Sequence, residues 1–194
     1  MIIGITGGTG CGKSTLLREL EKQGALVLDC DQIYHELLQR DEALLVAIES
    51  RFPGTVEAGV LQRKKLGSLV FADDAALQDL NGITHSAIRQ EVLRRLEGAS
   101  FAAIDAIALF ESGMDALCDV TVAVTAPRER RIARLLAREG ISREYAESRI
   151  DAQHDDAWFR SRCDYTLDNS GDLQSFQSKC LAFLQESGIM KSET

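Results

Sequence analysis

The stretch Gly7-Gly8-Thr9-Gly10-Cys11-Gly12-Lys13-Ser14-Thr15 is where residue type and spacing speak most directly of chemistry. It satisfies G-x-x-x-x-G-K-[ST], with Gly7, Gly12, Lys13 and Ser14 at the four fixed places. Four glycines let the backbone turn its N–H groups inward, where any Cβ would block a phosphate. A helix starting directly after the loop points the positive end of its dipole at the same anion. Lys13 has the length to reach β- and γ-phosphates, and the Ser14 hydroxyl suits Mg²⁺. The stretch therefore predicts a site for a nucleoside triphosphate with Mg²⁺. Its expected contacts are Gly8, Gly10, Cys11, Gly12, Lys13, Ser14 and Thr15.

Other side chains are spaced to complete a reaction. Asp29 and Asp31 follow the apolar run Ala25–Leu28, just before a helical pattern with Ile33, Leu37 and Leu38. The plainer role for one of the pair is helix N-capping. A second role follows from position, because ligands of open α/β sheets sit beyond the carboxyl ends of the strands. Phe101–Asp105 is another strand ending in an acid, which places Asp105 near the metal through water. Between Arg128 and Arg149 lies a run dense in arginine. Arg134 and Arg138 are four apart, hence on one helix face, and Glu139-Gly140 breaks the helix after them. A helix–Gly–helix lid of this kind excludes water and brings guanidinium groups to a transferring phosphoryl. Arg138, at the hinge, is the first choice and Arg134 the second.

These groups need a scaffold to hold them. Ile2–Ile5 reads as a first strand and Thr15–Gln23 as an amphipathic helix with Leu16, Leu17 and Leu20 inward. Val120, Val122 and Val124 alternate along a fourth strand, and Tyr165–Asp168 forms a fifth. A final helix carries Leu173, Phe176, Cys180, Leu181 and Leu184, and the polar tail Lys191–Thr194 is expected to fray. Glu42–Arg51 continues the preceding helical pattern, Pro53-Gly54 breaks it, and a polar stretch runs to Gly59. From Leu61 to Leu96 the pattern is mostly helical and too long for a simple crossover. His85 falls there. Together these predict an α/β fold of the P-loop type: a five-stranded parallel sheet flanked by helices, with a helical acceptor subdomain and an Arg-bearing helical lid. In one domain of 194 residues, the core is expected at about 1–40, 99–126 and 160–190, the acceptor subdomain at about 41–98 and the lid at about 127–159.

Composition bounds the setting. The chain is 45% apolar and 27% charged, ordinary for a globular protein. No apolar run approaches the ~20 residues of a membrane span, and the N-terminus lacks a signal layout. A cytoplasmic protein is expected, a monomer or weak homo-oligomer. Five dispersed cysteines without a C-x-x-C pair argue against zinc; Cys11, inside the loop, is open to thiol reagents on this reading. The formal charge of −8 argues against nucleic-acid binding and requires local positive charge to draw in an anionic ligand. A regulatory GTPase needs a guanine-reading N-K-x-D string, and none occurs. A phosphate loop, an acceptor subdomain and an arginine lid instead predict a small-molecule kinase.

Beyond the loop, several strings resemble one family nearly from end to end. They are Asp29-x-Asp31, Leu80-Asn81 with His85, Leu109-Phe110-Glu111 after Asp105, Arg134, Arg138 and Gln153, and Asp164-Tyr165-Thr166-Leu167-Asp168-Asn169-Ser170-Gly171. The chain resembles the bacterial dephospho-CoA kinases. The resemblance implies that ATP, with Mg²⁺, phosphorylates the ribose 3′-hydroxyl of dephospho-CoA in the last step of CoA synthesis. It implies Asp31 as base and orienter of that hydroxyl, with His85 and Glu111 in the acceptor region and Lys13 and Arg138 acting on the phosphoryl group. Another P-loop small-molecule or nucleoside or nucleotide kinase is the alternative. Two family prolines are absent: Ser86 follows His85, and Ile107 opens the stretch ending in Glu111.

Overall fold

The apolar run before the glycine loop forms strand β1 (Ile2–Thr6), and the loop hands over to helix α1 (Lys13–Lys22). The computed structural model describes residues 1–71 and 73–189; the tail Lys191–Thr194, expected to fray, lies outside them. The chain continues through β2 (Leu26–Asp29), α2 (Cys30–Arg40), α3 (Glu42–Arg51), β3 (Val56–Glu57), β4 (Val60–Leu61), α4 (Arg63–Val70) and α5 (Asp74–Leu96). It then forms β5 (Ala102–Asp105), β6 (Val120–Thr125), α6 (Arg128–Glu139), α7 (Arg143–Asp151), α8 (Asp156–Arg162), β7 (Tyr165–Asp168) and α9 (Leu173–Glu186). The chain is built as two compact units, Met1–Leu28 with Ala99–Thr194, and Asp29–Gly98.

The five expected strands make one all-parallel sheet in the order β2-β5-β1-β6-β7. β1 is central: Ile3 pairs with Ala103 on one side and Val120 on the other. Ile3 and Ile5 point to one face, into a core with Leu16 and Leu20 of α1 and Phe176 and Leu184 of α9. Fully burying each such side chain contributes about 1.5–3 kcal/mol. Gly4 turns to the opposite face, where a Cβ would stand 2.7 Å from the Cys118 sulfur and 2.9 Å from Leu109. No larger residue fits there unless its neighbours move.

The valine alternation at 120–124 suggests a strand with one wet face, yet Thr121 to Thr125 are all buried. The reason is position, since β6 lies inside the sheet between β1 and β7. Its threonines are satisfied internally: the Thr121 hydroxyl donates to Asp164 at 2.8 Å and the Thr125 hydroxyl accepts from Arg160 at 3.0 Å. In α9 the buried stripe is Phe176, Cys180, Phe183 and Leu184, whereas Leu173 and Leu181 of the expected stripe are exposed.

In the unit of residues 29–98, the helix expected to continue into Glu42–Arg51 is interrupted. Asp41 closes α2 and its side chain accepts from Leu44 N at 3.0 Å, capping α3. The polar stretch to Gly59 contains a small antiparallel hairpin, β3 with β4, which is too short to leave a periodic signal. Glu49 pins it by accepting from Gly54 N at 2.6 Å and Val56 N at 2.7 Å. The long α5 runs unbroken through His85-Ser86. With serine at 86 the helical N–H is retained, where the family's proline would remove it. Glu91 braces α5 against α2, accepting from Arg40 at 2.6 Å as well as from Arg94 and Arg95 of its own helix. Hydrogen bonds from Arg94, then Arg95, outweigh burial and hold its carboxyl at about 2.

Candidate active site

The loop between β1 and α1 is the centre of the site. Gly12 is the N-cap of α1 in the left-handed region at φ 98°, and among the described residues no side chain caps the helix. Only glycine adopts that conformation without strain, and an uncapped helix start suits an anion. Lys13 Nζ donates to the Gly7 carbonyl at 3.1 Å and stands 3.7 Å from the Asp105 carboxylate. The sheet produces that meeting: β5 is the neighbour of β1, with Ile5 in register with Asp105. Ser14 is exposed in the first turn of α1, and Thr15 is buried. Cys11 is 1% exposed, and burial pushes its thiol above the usual value. The expected access of thiol reagents is thereby corrected, because this sulfur is shielded and held protonated.

Helix α6 lies along the outside of the loop. Arg131, 5% exposed, donates from Nε to the Thr9 carbonyl at 2.9 Å and from Nη2 to Gln153 Oε1 at 3.1 Å. Gln153 Oε1 also accepts from Thr9 N–H at 2.8 Å. Arg134 donates from Nη1 to the carbonyls of Gly10 at 3.1 Å and Cys11 at 3.0 Å, and from Nη2 to the Asn169 carbonyl at 3.3 Å. Burial lowers the Arg134 pKa from the ordinary guanidinium value. Asn169, just past β7, donates from Nδ2 to the Cys11 carbonyl at 2.8 Å. Arg138 points outward, its side chain 64% exposed and paired with Glu139, which also pairs with Arg149. Of the two arginines expected in the lid, Arg134 is therefore at the loop and Arg138 is not. Arg131 and the Asn169 side chain reach the loop without having been expected there. Spacing of three from Arg134 is the sequence signal for Arg131, and adjacency to a strand end is the signal for Asn169.

A cavity of about 330 Å³ lies in the same unit, lined by Ile107, Ala108, Glu111, Gln153, His154 and Phe159 among others. Glu111 meets His154 Nε2 at 2.9 Å, and the His154 ring stacks on Trp158 with centroids 3.8 Å apart. Ile107, in place of a family proline, is anchored by its carbonyl, which accepts from the Thr6 hydroxyl at 3.0 Å.

In the other unit, Asp29 is the N-cap of α2, accepting from Asp31 N at 2.9 Å and Gln32 N at 3.1 Å. Asp31 is exposed in the first turn, and its backbone carbonyl lies 2.6 Å from His35 Nδ1. Capping thus falls to the first acid of the pair. His85 is half-buried on α5.

Comparison with known proteins places this geometry in a family. Residues 1–175 match the family described as Dephospho-CoA kinase. A Corynebacterium diphtheriae dephospho-CoA kinase is 39% identical over 177 residues, covering 88% of each chain. Among solved structures, the Thermus thermophilus protein TT1252 is 34% identical with a TM-score of 0.80, covering 96% of this chain and 97% of that one. Dephospho-CoA kinase from Campylobacter jejuni is 26% identical with a TM-score of 0.67, covering 97% and 98%. With a phosphate loop, Lys13 beside Asp105, and matches over nearly its whole length, the chain belongs to the dephospho-CoA kinase family.

Proposed function

We propose that this chain transfers the γ-phosphoryl group of ATP to the ribose 3′-hydroxyl of dephospho-CoA, releasing CoA and ADP. The observation that carries the reading is the glycine loop closed by Lys13, 3.7 Å from Asp105, in a chain of this family. Transfer is direct and in line. Charge spreads over the γ-phosphoryl oxygens in a loose transition state, so positioning and electrostatics outweigh proton removal. The loop amides and Lys13 supply positive potential. Arg134 belongs to the ATP side through its bonds to the loop, and Arg138 acts on the phosphoryl only after leaving Glu139.

Ser14 and Asp105, a hydroxyl and a carboxylate, are hard oxygen donors that fit Mg²⁺, with Asp105 reached through water. Bound there with ATP, the ion would neutralise charge on the phosphate oxygens. Asp31, matching the family's second acid, aims the 3′-hydroxyl and accepts its proton. His85 and Glu111 belong to the acceptor region, and the cavity beside Glu111 receives part of the acceptor. We place the reaction in the cytoplasm, with the chain a monomer or weak homo-oligomer; among the described residues no helix is long and apolar enough to cross a membrane. The test is an ADP-release assay across dephospho-CoA, adenosine, AMP and shikimate. Turnover with dephospho-CoA is expected, with the new phosphate on the 3′-oxygen. Turnover with only one of the other three overturns the proposal.

A further inference from the structure

A peptide unit that turns its N–H toward a phosphate turns its carbonyl the other way, and a carbonyl removed from water must find a donor. Three consecutive carbonyls of this loop find theirs on side chains more than a hundred residues away. Thr9 O accepts from Arg131 Nε at 2.9 Å. Gly10 O and Cys11 O accept from Arg134 Nη1 at 3.1 and 3.0 Å, and Cys11 O accepts again from Asn169 Nδ2 at 2.8 Å. Gln153 ties the first of these together, since its Oε1 takes both Thr9 N–H and Arg131 Nη2. The packing leaves no slack. A Cβ on Gly8 would lie 2.1 Å from Arg131 Nη2, and one on Gly12 would lie 2.3 Å from Asn169 Nδ2.

We infer that Arg131, Arg134 and Asn169 are positioning residues that brace the phosphate loop from its carbonyl side, holding the N–H groups of Gly10 and Gly12 in the anion-binding arrangement before nucleotide arrives. The inference rests on the reading of the loop as a triphosphate site. It gives the two arginines of α6 a fixed duty at the back of the loop, distinct from a lid arginine that swings onto the phosphoryl group. Asn169 is the sharpest member. It is 4% exposed, it donates from Nδ2, and its Oδ1 is buried with no hydrogen-bond partner among the described residues. Its amide is therefore held in place as a donor. A loop ordered in advance loses less entropy on binding, so the brace appears as nucleotide affinity.

The test uses the full chain, ADP binding by calorimetry and steady-state kinetics. Asn169→Asp keeps the shape and removes the donor; Arg131→Met keeps the stem and removes the guanidinium. Each is expected to raise the ADP Kd and the KM for ATP about 30-fold, the value of a lost charge-assisted or buried hydrogen bond. The KM for dephospho-CoA is expected to stay within about threefold. Affinities within twofold of wild type overturn the brace. So does a loss that merely follows the unfolded fraction, or one that falls equally on both substrates. One measurement needs no variant: backbone order parameters of Thr9–Gly12 in the nucleotide-free wild type should lie near 0.85, and values below about 0.6 overturn the inference. A wild-type chain that binds neither ADP nor ATP instead fails the functional reading itself.

Discussion

Lys13 meets the Gly7 carbonyl and the Asp105 carboxylate at once, and together they aim one ammonium group over the loop. Its removal takes that positive charge away from the phosphates and from Asp105 alike. Lys13→Ala is therefore expected to cut kcat by about 10²-fold or more, within the range for losing one electrostatic contact to a transition state. Steady-state assay checks this, and unchanged kinetics would count against the site as a whole. Asp31 presents a contrasting case, because Asp29 does the capping and Asp31 stays exposed. Asp31→Asn keeps helix α2 and is expected to lower turnover by ~10²-fold or more, the usual general-base range. ADP affinity should remain at the wild-type value. Near-normal turnover in that variant removes Asp31 from the mechanism.

Among the elements, α5 depends most visibly on charge. Glu91 is buried and takes three arginines, one of them from α2. Its carboxyl sits at about 2, below the ordinary 4.5. A depressed carboxylate stabilises the fold fully above the ordinary value and loses that contribution as pH falls toward the folded value. The share of stability due to Glu91 should thus be present at pH 7 and decline between about pH 4.5 and 2. Glu91→Gln is expected to cost about 2 kcal/mol at pH 7, below the cost of breaking a fully buried pair because its partners are partly exposed. The variant and the wild type should converge near pH 2. Urea titrations at the two pH values decide it, and an equal difference at both would exclude the brace. Helix elements are well marked in the sequence by period and caps. The β3–β4 hairpin is not, since two residues a side carry no period.

For the molecule as a whole, a formal charge of −8 must coexist with a ligand that is itself strongly anionic. Lys13, Arg131 and Arg134 bring positive charge to the loop, although Lys13 also faces Asp105 at 3.7 Å and Arg131 faces Asp156 at 3.8 Å. Many other arginines of that segment are neutralised by carboxylates: Arg128 with Asp151, Arg138 and Arg149 with Glu139, Arg143 with Glu129 and Glu147. Binding at such a preformed site couples directly to folding. ADP at a hundred times its Kd is expected to stabilise the folded chain by about 2.7 kcal/mol, seen as a rise in Tm. No rise at that concentration would show that the nucleotide does not select the folded state.

What the sequence determined by itself was local. The glycine spacing, Lys13 and Ser14 at fixed offsets, and an acid capping α2 follow from contacts within a few residues, which backbone geometry sets directly. The order of strands and helices followed from periodicity in the same way, because each period reports one face against one core. The tertiary structure decided which distant residues arrive. Pairing of β5 beside β1 brought Asp105 to Lys13. Docking of α6 on the loop selected Arg131 and Arg134 and left Arg138 outside, although a helical pattern treats 134 and 138 as one face. Asn169 reached the loop only through the end of β7. Helical spacing says which side chains point together, whereas the angle and height at which a helix meets its neighbour decide which of them touch.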